Sequence, residues 1–308
     1  MQLRIATRTS QMALYQANWV KDQLQALYPE LTISLLPMLT TGDKIQTASL
    51  AKVGGKGLFL KELESALLEK RADIAVHSLK DIPVKLPQGL ILAAFCERTE
   101  VRDAWVGRAP AACHDTLPAG AVIGTSSLRR QSFLRHALPQ FEYRPLRGNV
   151  NTRLAKLDAG EYDAIILSAV GLERVDLAER ITTRLSPQLC LPAVGQGGIT
   201  IECRETDPEI QALLKPLDHL ATRQCITAER SLNAALEGGC QVPIGAYATL
   251  DNDVISLEAW VGTVDGADIL KAQAHAPVEQ AYALGQRVAA QLNDLGAREI
   301  LHAIYHND

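Results

Sequence analysis

The sequence predicts an α/β protein of mostly parallel sheets, built as more than one domain. Three observations carry this. Over the first two hundred residues, short apolar β-rich runs alternate with stretches of helical periodicity, the rhythm of βα units. At 308 residues the chain exceeds what one core comfortably holds, so two or three domains are expected. The charge also shifts along the chain. Residues 251–308 hold nine Asp or Glu against three Lys or Arg, so in a chain of net charge −4 residues 1–250 carry about +2. That shift marks a separate C-terminal module starting near Leu217–Arg223.

Leu3–Thr7 is short and apolar and reads as a strand. Gln11–Leu27 has apolar residues at helical spacing, and Ser10 before it is an N-cap residue. Leu31–Met38 reads as a strand, Leu58–Glu69 as a helix, and Asp73–Val76 as the buried strand after it. Ala121–Gly124 is strand-like. Leu128–Leu138 is helical behind the caps Thr125-Ser126-Ser127. Val150–Asp158 is a helix closed by Gly160, and Ala164–Leu167 is a strand. There is no strong internal repeat and no low-complexity tract.

Hydrophobic residues make 47% and charged residues 21%, an ordinary balance for a soluble domain, and no apolar run approaches membrane-spanning length. Met1-Gln2-Leu3-Arg4-Ile5-Ala6-Thr7-Arg8 lacks the apolar stretch of a signal peptide. The six cysteines (96, 113, 190, 203, 225 and 240) include no Cys-x-x-Cys pair. Without a secretory signal, the expectation is free thiols in a reducing cytoplasm and no metal site.

Gly124–Arg153 holds six arginines (Arg129, Arg130, Arg135, Arg144, Arg147, Arg153) against one acid, Glu142. Arginine keeps its charge and grips carboxylates or phosphates with two N–H groups at once, so the segment points to a polyanionic ligand. Four polar clusters stand where strands run into helices. They are Arg8-Thr9-Ser10, His77-Ser78-Leu79-Lys80-Asp81, Ser126-Ser127-Leu128-Arg129-Arg130 and Arg147–Arg153. In α/β proteins ligands collect at such junctions. Any one cluster alone is best read as a capped helix with a solvated cation. Four in equivalent places favour a shared anion cleft.

Lys52-Val53-Gly54-Gly55-Lys56-Gly57-Leu58-Phe59 lacks the Walker spacing, because Gly57 follows Lys56, and Gly195-Gln196-Gly197-Gly198 is no dinucleotide fingerprint. The first reads either as a plain turn before a helix or as a glycine loop whose lysines swing over an anion. Its glycines make Ser49–Phe59 the candidate mobile lid. Asp81 stands just past a buried strand. An ion pair is the commoner fate of such a residue, and stabilising a cationic intermediate or passing a proton is the functional one. His77 reads as structural. Cys240, in Glu237-Gly238-Gly239-Cys240-Gln241-Val242-Pro243, sits on a loop of unusual backbone freedom. It is either a small buried hydrophobe or an exposed nucleophile or attachment point. Cys96, Cys203 and Cys225 read as buried.

The chain resembles the porphobilinogen deaminase (hydroxymethylbilane synthase) family. The matching stretches are Arg4–Arg8, Ala51–Phe59, Asp73–Pro83, Gly124–Arg130, Leu146–Asn149, Leu191–Gly197, Ile201-Glu202-Cys203-Arg204 and Glu237–Gly245, and they span the whole chain. The resemblance implies a transferase that joins four porphobilinogen molecules head-to-tail into hydroxymethylbilane, releasing ammonia each time. It implies a dipyrromethane cofactor in thioether linkage to Cys240, and Asp81 as the catalytic group. It places Lys80, Ser127, Arg129, Arg130, Arg147 and Asp43 on the cofactor. It places Arg8, Ser10, Lys52, Lys56, Phe59, Arg153, Arg174 and Gln196 on the substrate and growing chain. The implied fold is two periplasmic-binding-protein-like (type II) lobes plus a third small α/β domain with an antiparallel sheet. The implied divisions are residues 1–97 with 198–216, 98–197, and 217–308. Thr9 and Leu79 stand where the family usually carries other residues, and the stretch Leu167–Gly171 differs slightly; neither touches an assigned role.

Six pyrrole units, two from the primer and four added, bring twelve carboxylates to one protein, which accounts for the arginines without nucleic acid. A non-catalytic two-lobed polycarboxylate-binding protein is the alternative, and it would leave Cys240 unmodified. A nucleic-acid binder is disfavoured by the overall acidity and by 5% aromatic content. The expected partner is therefore the small-molecule substrate, with no nucleic acid and no membrane, and the expected state is a cytoplasmic monomer.

Overall fold

The computed structural model describes residues 2–44, 60–239 and 241–306. It falls into two compact units, Met1–Thr99 with Gly197–Arg223, and Glu100–Gln196 with Gln224–Asp308.

The first unit is built on β1 (Gln2–Arg8), β2 (Thr32–Met38), β3 (Ile74–Ser78) and β4 (Leu90–Phe95), with Ile199–Arg204, β10 in chain order, inserted between β3 and β4. β1 pairs in parallel with β2 and β3, whereas β10 is antiparallel to both its neighbours. Side chains alternate across a sheet. Leu3, Ile5, Ile74, Val76 and Ile201 face helix α1 (Gln11–Leu27), which buries Ala17, Val20 and Leu24 against them. Ala6 and Ala75 face the other way, toward Leu63, Ala66 and Leu67 of α3 (Lys61–Leu68). Burying each such leucine contributes about 1.5–3 kcal/mol. The same alternation sends His77 and Glu202 to the α3 side. A single turn, α2 (Thr41–Lys44), follows β2.

The second unit repeats the plan. β5 (Asp103–Gly107), β6 (Val122–Gly124), β7 (Glu142–Arg144), β8 (Ala164–Ser168) and β9 (Thr183–Arg184) form a sheet of order β7-β6-β8-β5-β9. β6 is parallel to β7 and β8, and β5 is the antiparallel strand in the slot that β10 fills in the first sheet. Helix α4 (Leu128–Ala137) follows β6, α5 (Val150–Asp158) follows β7, and the short α6 (Ala169–Glu173) follows β8. This unit also holds an antiparallel sheet of β11 (Ile244–Asp251), β12 (Val254–Gly262) and β13 (Ile269–Pro277). After α7 (Pro208–Leu214), helices α8 (Leu220–Ala235), α9 (Ala281–Asp294) and α10 (Ala297–His306) complete the order. Ala228, Leu232, Leu284, Val288 and Leu301 from α8 to α10 share one core with Ala246, Leu257 and Ala259 of the sheet. The architecture is thus two periplasmic-binding-protein-like type II lobes and a third small α/β domain with an antiparallel sheet.

The strands expected at Asp73–Val76 and Ala164–Leu167 run on to Ser78 and Ser168. In each case the distant antiparallel strand extends the ladder, pairing Ile199 with Ser78 and Asp103 with Ser168. The helix expected over Leu58–Glu69 is Lys61–Leu68 among the described residues, and Leu60 before it provides no side-chain cap. Gln11–Leu27 and Val150–Asp158 have the expected bounds. Ser10 and Asn149 accept from the backbone N–H groups of Ala13 and Thr152. No helix among the described residues is long and apolar enough to cross a membrane.

Candidate active site

In the first unit, the carboxyl ends of β1 and β3 bring Arg8, Ser10, Gln16, His77, Ser78 and Asp81 to the wall of one pocket, with Leu60, Val76, Met12 and Ala13 as its apolar part. Asp81 ends a short 3₁₀ turn, Leu79–Asp81, that leaves β3 directly and is held by a bond from the Leu79 N–H to the Gly198 carbonyl, 3.0 Å. Ser78 exchanges hydrogen bonds with the Gln16 amide at 2.8 and 3.2 Å, tying that strand end to α1. Arg8 is clamped by Asp43 through two contacts, one of them Nε to Oδ2 at 3.2 Å. Asp43 also accepts from the Thr40 hydroxyl, 2.7 Å. The Arg8 and Thr40 bonds outweigh burial and hold the Asp43 carboxyl below its usual range. Asp43 and Arg8, assigned to cofactor and substrate respectively, therefore form one device.

Beneath His77, its Nε2 meets Glu202 Oε2 at 2.9 Å, with both side chains buried. Glu202 Oε1 has no hydrogen-bond partner among the described residues. Glu64 of α3 completes the cluster. Burial first, and the Glu202 carboxylate second, push its pKa up to about 7, partly countered by His77.

In the second unit, Ser127 caps α4 and accepts from the Arg130 N–H, 3.5 Å. Arg129 and Arg130, at 4% and 7% exposure, both turn onto Asp103, which is fully buried on β5. Arg129 Nη1 lies 2.8 Å from Asp103 Oδ2. Arg130 donates through Nε (3.0 Å) and Nη2 (2.7 Å) to Oδ1, and its Nη1 reaches the Ile166 carbonyl at 3.1 Å. Gln196 Nε2 donates to the same Oδ1, 3.0 Å. Against the cost of burial, the two guanidiniums hold the Asp103 carboxyl far below the usual range. Arg153 of α5 donates through Nε to the Gly148 carbonyl, 2.7 Å. Gly148 has φ +119°, and a Cβ there would lie 2.7 Å from Thr152. Burial, then the nearby Arg130 and Arg147, push the Arg153 pKa down to about 10. Arg174 is buried at the end of α6.

The six-arginine segment thus divides. Arg129, Arg130, Arg147 and Arg153 share one neighbourhood. Arg135 donates instead to the Val264 carbonyl of the third domain, 2.9 Å, and Arg144 makes an exposed pair with Glu142. Lys52, Lys56, Phe59, Cys240 and the lid stretch Ser49–Phe59 lie outside the described residues. Asp103, Glu64 and Glu202 were not singled out in the sequence. The available signal was an acid opening or interrupting an apolar strand, Asp103-Ala104-Trp105-Val106 and Ile199-Thr200-Ile201-Glu202. Cys96, Cys203 and Cys225 are buried and in no disulfide among the described residues. Among the described residues no group of three or more His, Cys, Asp or Glu is placed to hold a metal.

A two-lobed α/β protein whose second lobe crowds arginines around less acid than balances them is suited to a polycarboxylate. Residues 3–212 match the family described as "Porphobilinogen deaminase, dipyromethane cofactor binding domain", and residues 223–294 match "Porphobilinogen deaminase, C-terminal domain". The chain belongs to the porphobilinogen deaminase family. It is a transferase of tetrapyrrole biosynthesis that joins four porphobilinogen molecules into hydroxymethylbilane on a dipyrromethane cofactor. Among solved structures it is similar to the VFT2 domain of Bordetella pertussis BvgS, at 16% identity over 75% of this chain and 92% of that one, TM-score 0.42. It is also similar to the periplasmic aliphatic sulphonate binding protein SsuA from Escherichia coli, at 15% identity over 77% and 70%, TM-score 0.42. A third is the methionine binding protein MetQ, at 12% identity over 72% and 90%, TM-score 0.45.

The residues present fit the cofactor's chemistry. Two guanidiniums share one carboxylate, Arg153 is disfavoured as a cation by burial and by its cationic neighbours, and the buried Arg129 Nε has no acceptor among the described residues. The uncompensated positive charge among these arginines suits anionic oxygen.

Proposed function

We propose that the chain has hydroxymethylbilane synthase activity with Asp81 as its catalytic group, acting as a cytoplasmic monomer. The observation that carries this is the placing of Asp81 in one pocket with Arg8 and Ser10. A carboxylate for a developing cation and donors for a substrate carboxylate thus share one space. Arg8, aimed by Asp43, and Ser10 bind the acetate or propionate of porphobilinogen. Loss of ammonia leaves a cationic azafulvenium, and Asp81 stabilises that charge. A preorganised group of this kind is typically worth about 3–4 kcal/mol of barrier.

Cys240 carries the cofactor in thioether linkage, and Ser127, Arg129, Arg130, Arg147 and Lys80 hold its carboxylates. Bound there, the dipyrromethane supplies the free pyrrole α-carbon that begins the chain. Arg153, Arg174, Gln196, Lys52, Lys56 and Phe59 serve the incoming and growing units. The domain divisions 1–97 with 198–216, 98–197 and 217–308 belong to the same reading.

Asp81→Asn is expected to keep KM within about threefold and lower kcat by roughly 10²–10³-fold, with Asp81→Glu retaining part of the rate. Steady-state kinetics with porphobilinogen checks this, and wild-type kcat in Asp81→Asn removes Asp81 from the chemistry. Intact mass checks the attachment. The wild-type chain carries the excess of two linked pyrroles, and Cys240→Ser folds without it.

A further inference from the structure

We propose that Asp103 is a positioning residue for the cofactor, its buried carboxylate setting the Arg129 and Arg130 guanidiniums in the one arrangement that receives the cofactor's acetate and propionate groups. The proposal rests on the reading of those two arginines as carboxylate-binding residues.

Adjacent residues on a helix point about 100° apart, and each arginine is a long chain of many rotamers. Two neighbours do not converge on one ligand unless something gathers them. Asp103 does so from a central strand, with no solvent exposure. One oxygen takes Arg129 at 2.8 Å and the other takes Arg130 at 2.7 Å. The rest of the cluster removes the remaining freedom. Arg129 Nη1 also donates to the Leu191 carbonyl (2.6 Å), and Gln196 bridges Oδ1 to the Val101 carbonyl (2.6 Å). Neither guanidinium can swing without leaving a buried carboxylate short of a donor.

A brace for stability alone is usually at least as good when built from apolar side chains, because desolvating charges costs more than their attraction returns. Here two cations share one anion, so one positive charge stays uncompensated. Arg129 Nε is left buried without an acceptor among the described residues, and Arg153 is crowded by Arg130 and Arg147. A cluster built only to cross-link β5 and α4 needs none of that excess. One built to present it to a carboxylate needs all of it.

The test is Asp103→Asn in the full-length enzyme, read as cofactor occupancy by intact mass and as kcat per cofactor-loaded chain. The control is Cys190→Ala, which removes a thiol 3.4 Å from the same carboxylate without changing charge. The expected result is either no loaded chain or a kcat lowered by at least about 30-fold at little-changed KM, the lower end of what unpairing a buried charge costs. Cys190→Ala should stay within about threefold of wild type, the scale of a small packing change. A merely structural Asp103 lowers Tm and leaves kcat per loaded chain unchanged, and that result overturns the proposal. So does an equal loss in Cys190→Ala.

If Asp103→Asn does not fold, the double variant Asp103→Asn, Arg129→Gln keeps the cluster at one net positive charge and takes its place. Occupancy and kcat no lower there than in Arg129→Gln alone overturn the proposal; a further loss of either supports it. Arg129→Gln and Arg130→Lys alone test the underlying reading. If both keep full occupancy and rate, that reading fails. If they are damaged while Asp103→Asn is normal, only the role of Asp103 fails.

Discussion

In the first unit's sheet, the antiparallel fourth strand carries Glu202. In the second unit's sheet, the strand in the same slot carries Asp103. Neither acid is exposed to solvent. Asp103 is surrounded by two guanidiniums and an amide, so its carboxyl is held far below the usual range. Glu202 meets one imidazole and a second carboxyl, and that second carboxyl, Glu64, is pushed up to about 7. The same desolvation cost is met by fixed cations in one lobe and by retention of a proton in the other. A carboxylate resting on arginines organises positive charge for anionic ligands. An acid beside another acid holds a proton under the wall of the Asp81 pocket. Two lobes of one topology are thus specialised by which residues answer a buried acid, not by where the strands run.

The largest expected effect separates these two solutions by stability. Asp103→Ala leaves two buried guanidiniums without their anion and should cost about 3–5 kcal/mol in denaturant unfolding. Glu202→Ala leaves His77 Nε2 without its acceptor and also relieves Glu64 of a like charge, so about 1–3 kcal/mol is expected. Equal losses would show that the two acids are handled alike and would break the comparison.

The next effect is a pH dependence carried by Glu64. Its folded pKa, about 7, lies above the ordinary glutamate value of 4.5, so the folded state binds the proton more tightly than the unfolded state. Its contribution is fully present below about pH 4.5, declines as pH rises toward 7, and levels off above that. The loss is at most about 3–4 kcal/mol, and less to the extent that solvent screens the group. Glu64→Gln mimics the protonated form and should remove that slope while leaving stability at pH 5 nearly unchanged. Denaturant titrations of both proteins at pH 5, 6, 7 and 8 check this. Parallel slopes would mean that Glu64 does not hold the proton.

How much of this was legible follows from range. α1 with its Ser10 cap and α5 were readable because helical spacing and a cap act within a few residues, whereas the Asn149 cap was not singled out. The lobes' shared strand order was not seen as an internal repeat, because Ala72-Asp73-Ile74-Ala75-Val76-His77-Ser78 and Tyr162-Asp163-Ala164-Ile165-Ile166-Leu167-Ser168 keep a pattern rather than an identity. The arginine segment was visible, and its use was only partly so. Arg129 and Arg130 find Asp103 more than twenty residues away, and Arg135 finds Val264 across 129 positions. His77 was read as structural, and its contact with Glu202 spans 125 positions. Local chemistry declares itself in sequence, but the partner of a buried charge is chosen by the sheet.

A smaller effect concerns Arg153. Its guanidinium is disfavoured by burial and by Arg130 and Arg147, so an added anion relieves a standing repulsion. In Cys240→Ser, which under the proposed attachment lacks the linked cofactor, citrate should raise Tm more than sodium chloride of equal ionic strength. The excess should fall in Arg153→Gln. An identical response to the two salts would place the crowded arginines outside any polycarboxylate site.

The smallest expected effect lies in the same arginine segment and isolates position from charge. Arg144 pairs with Glu142 at 2.7 Å, with both side chains about half exposed. Such pairs are solvated and screened by salt, so they contribute little to stability and set no geometry. Arg144 is nine residues from Arg153 and carries the same charge. If the cationic field alone drew the ligand, deleting either arginine would weaken it similarly. The structure argues otherwise, because Arg153 feels Arg130 and Arg147 while Arg144 answers only to Glu142 and, weakly, to Tyr162. Arg144→Gln should therefore leave kcat and KM within about twofold of wild type, as surface substitutions away from a site do. Arg153→Gln should raise KM or lower kcat by about tenfold or more, the scale of one charge-assisted carboxylate contact. Steady-state kinetics on the two variants at one ionic strength checks both expectations. Equal losses would assign the effect to net charge rather than to the site around Arg130, Arg147 and Arg153.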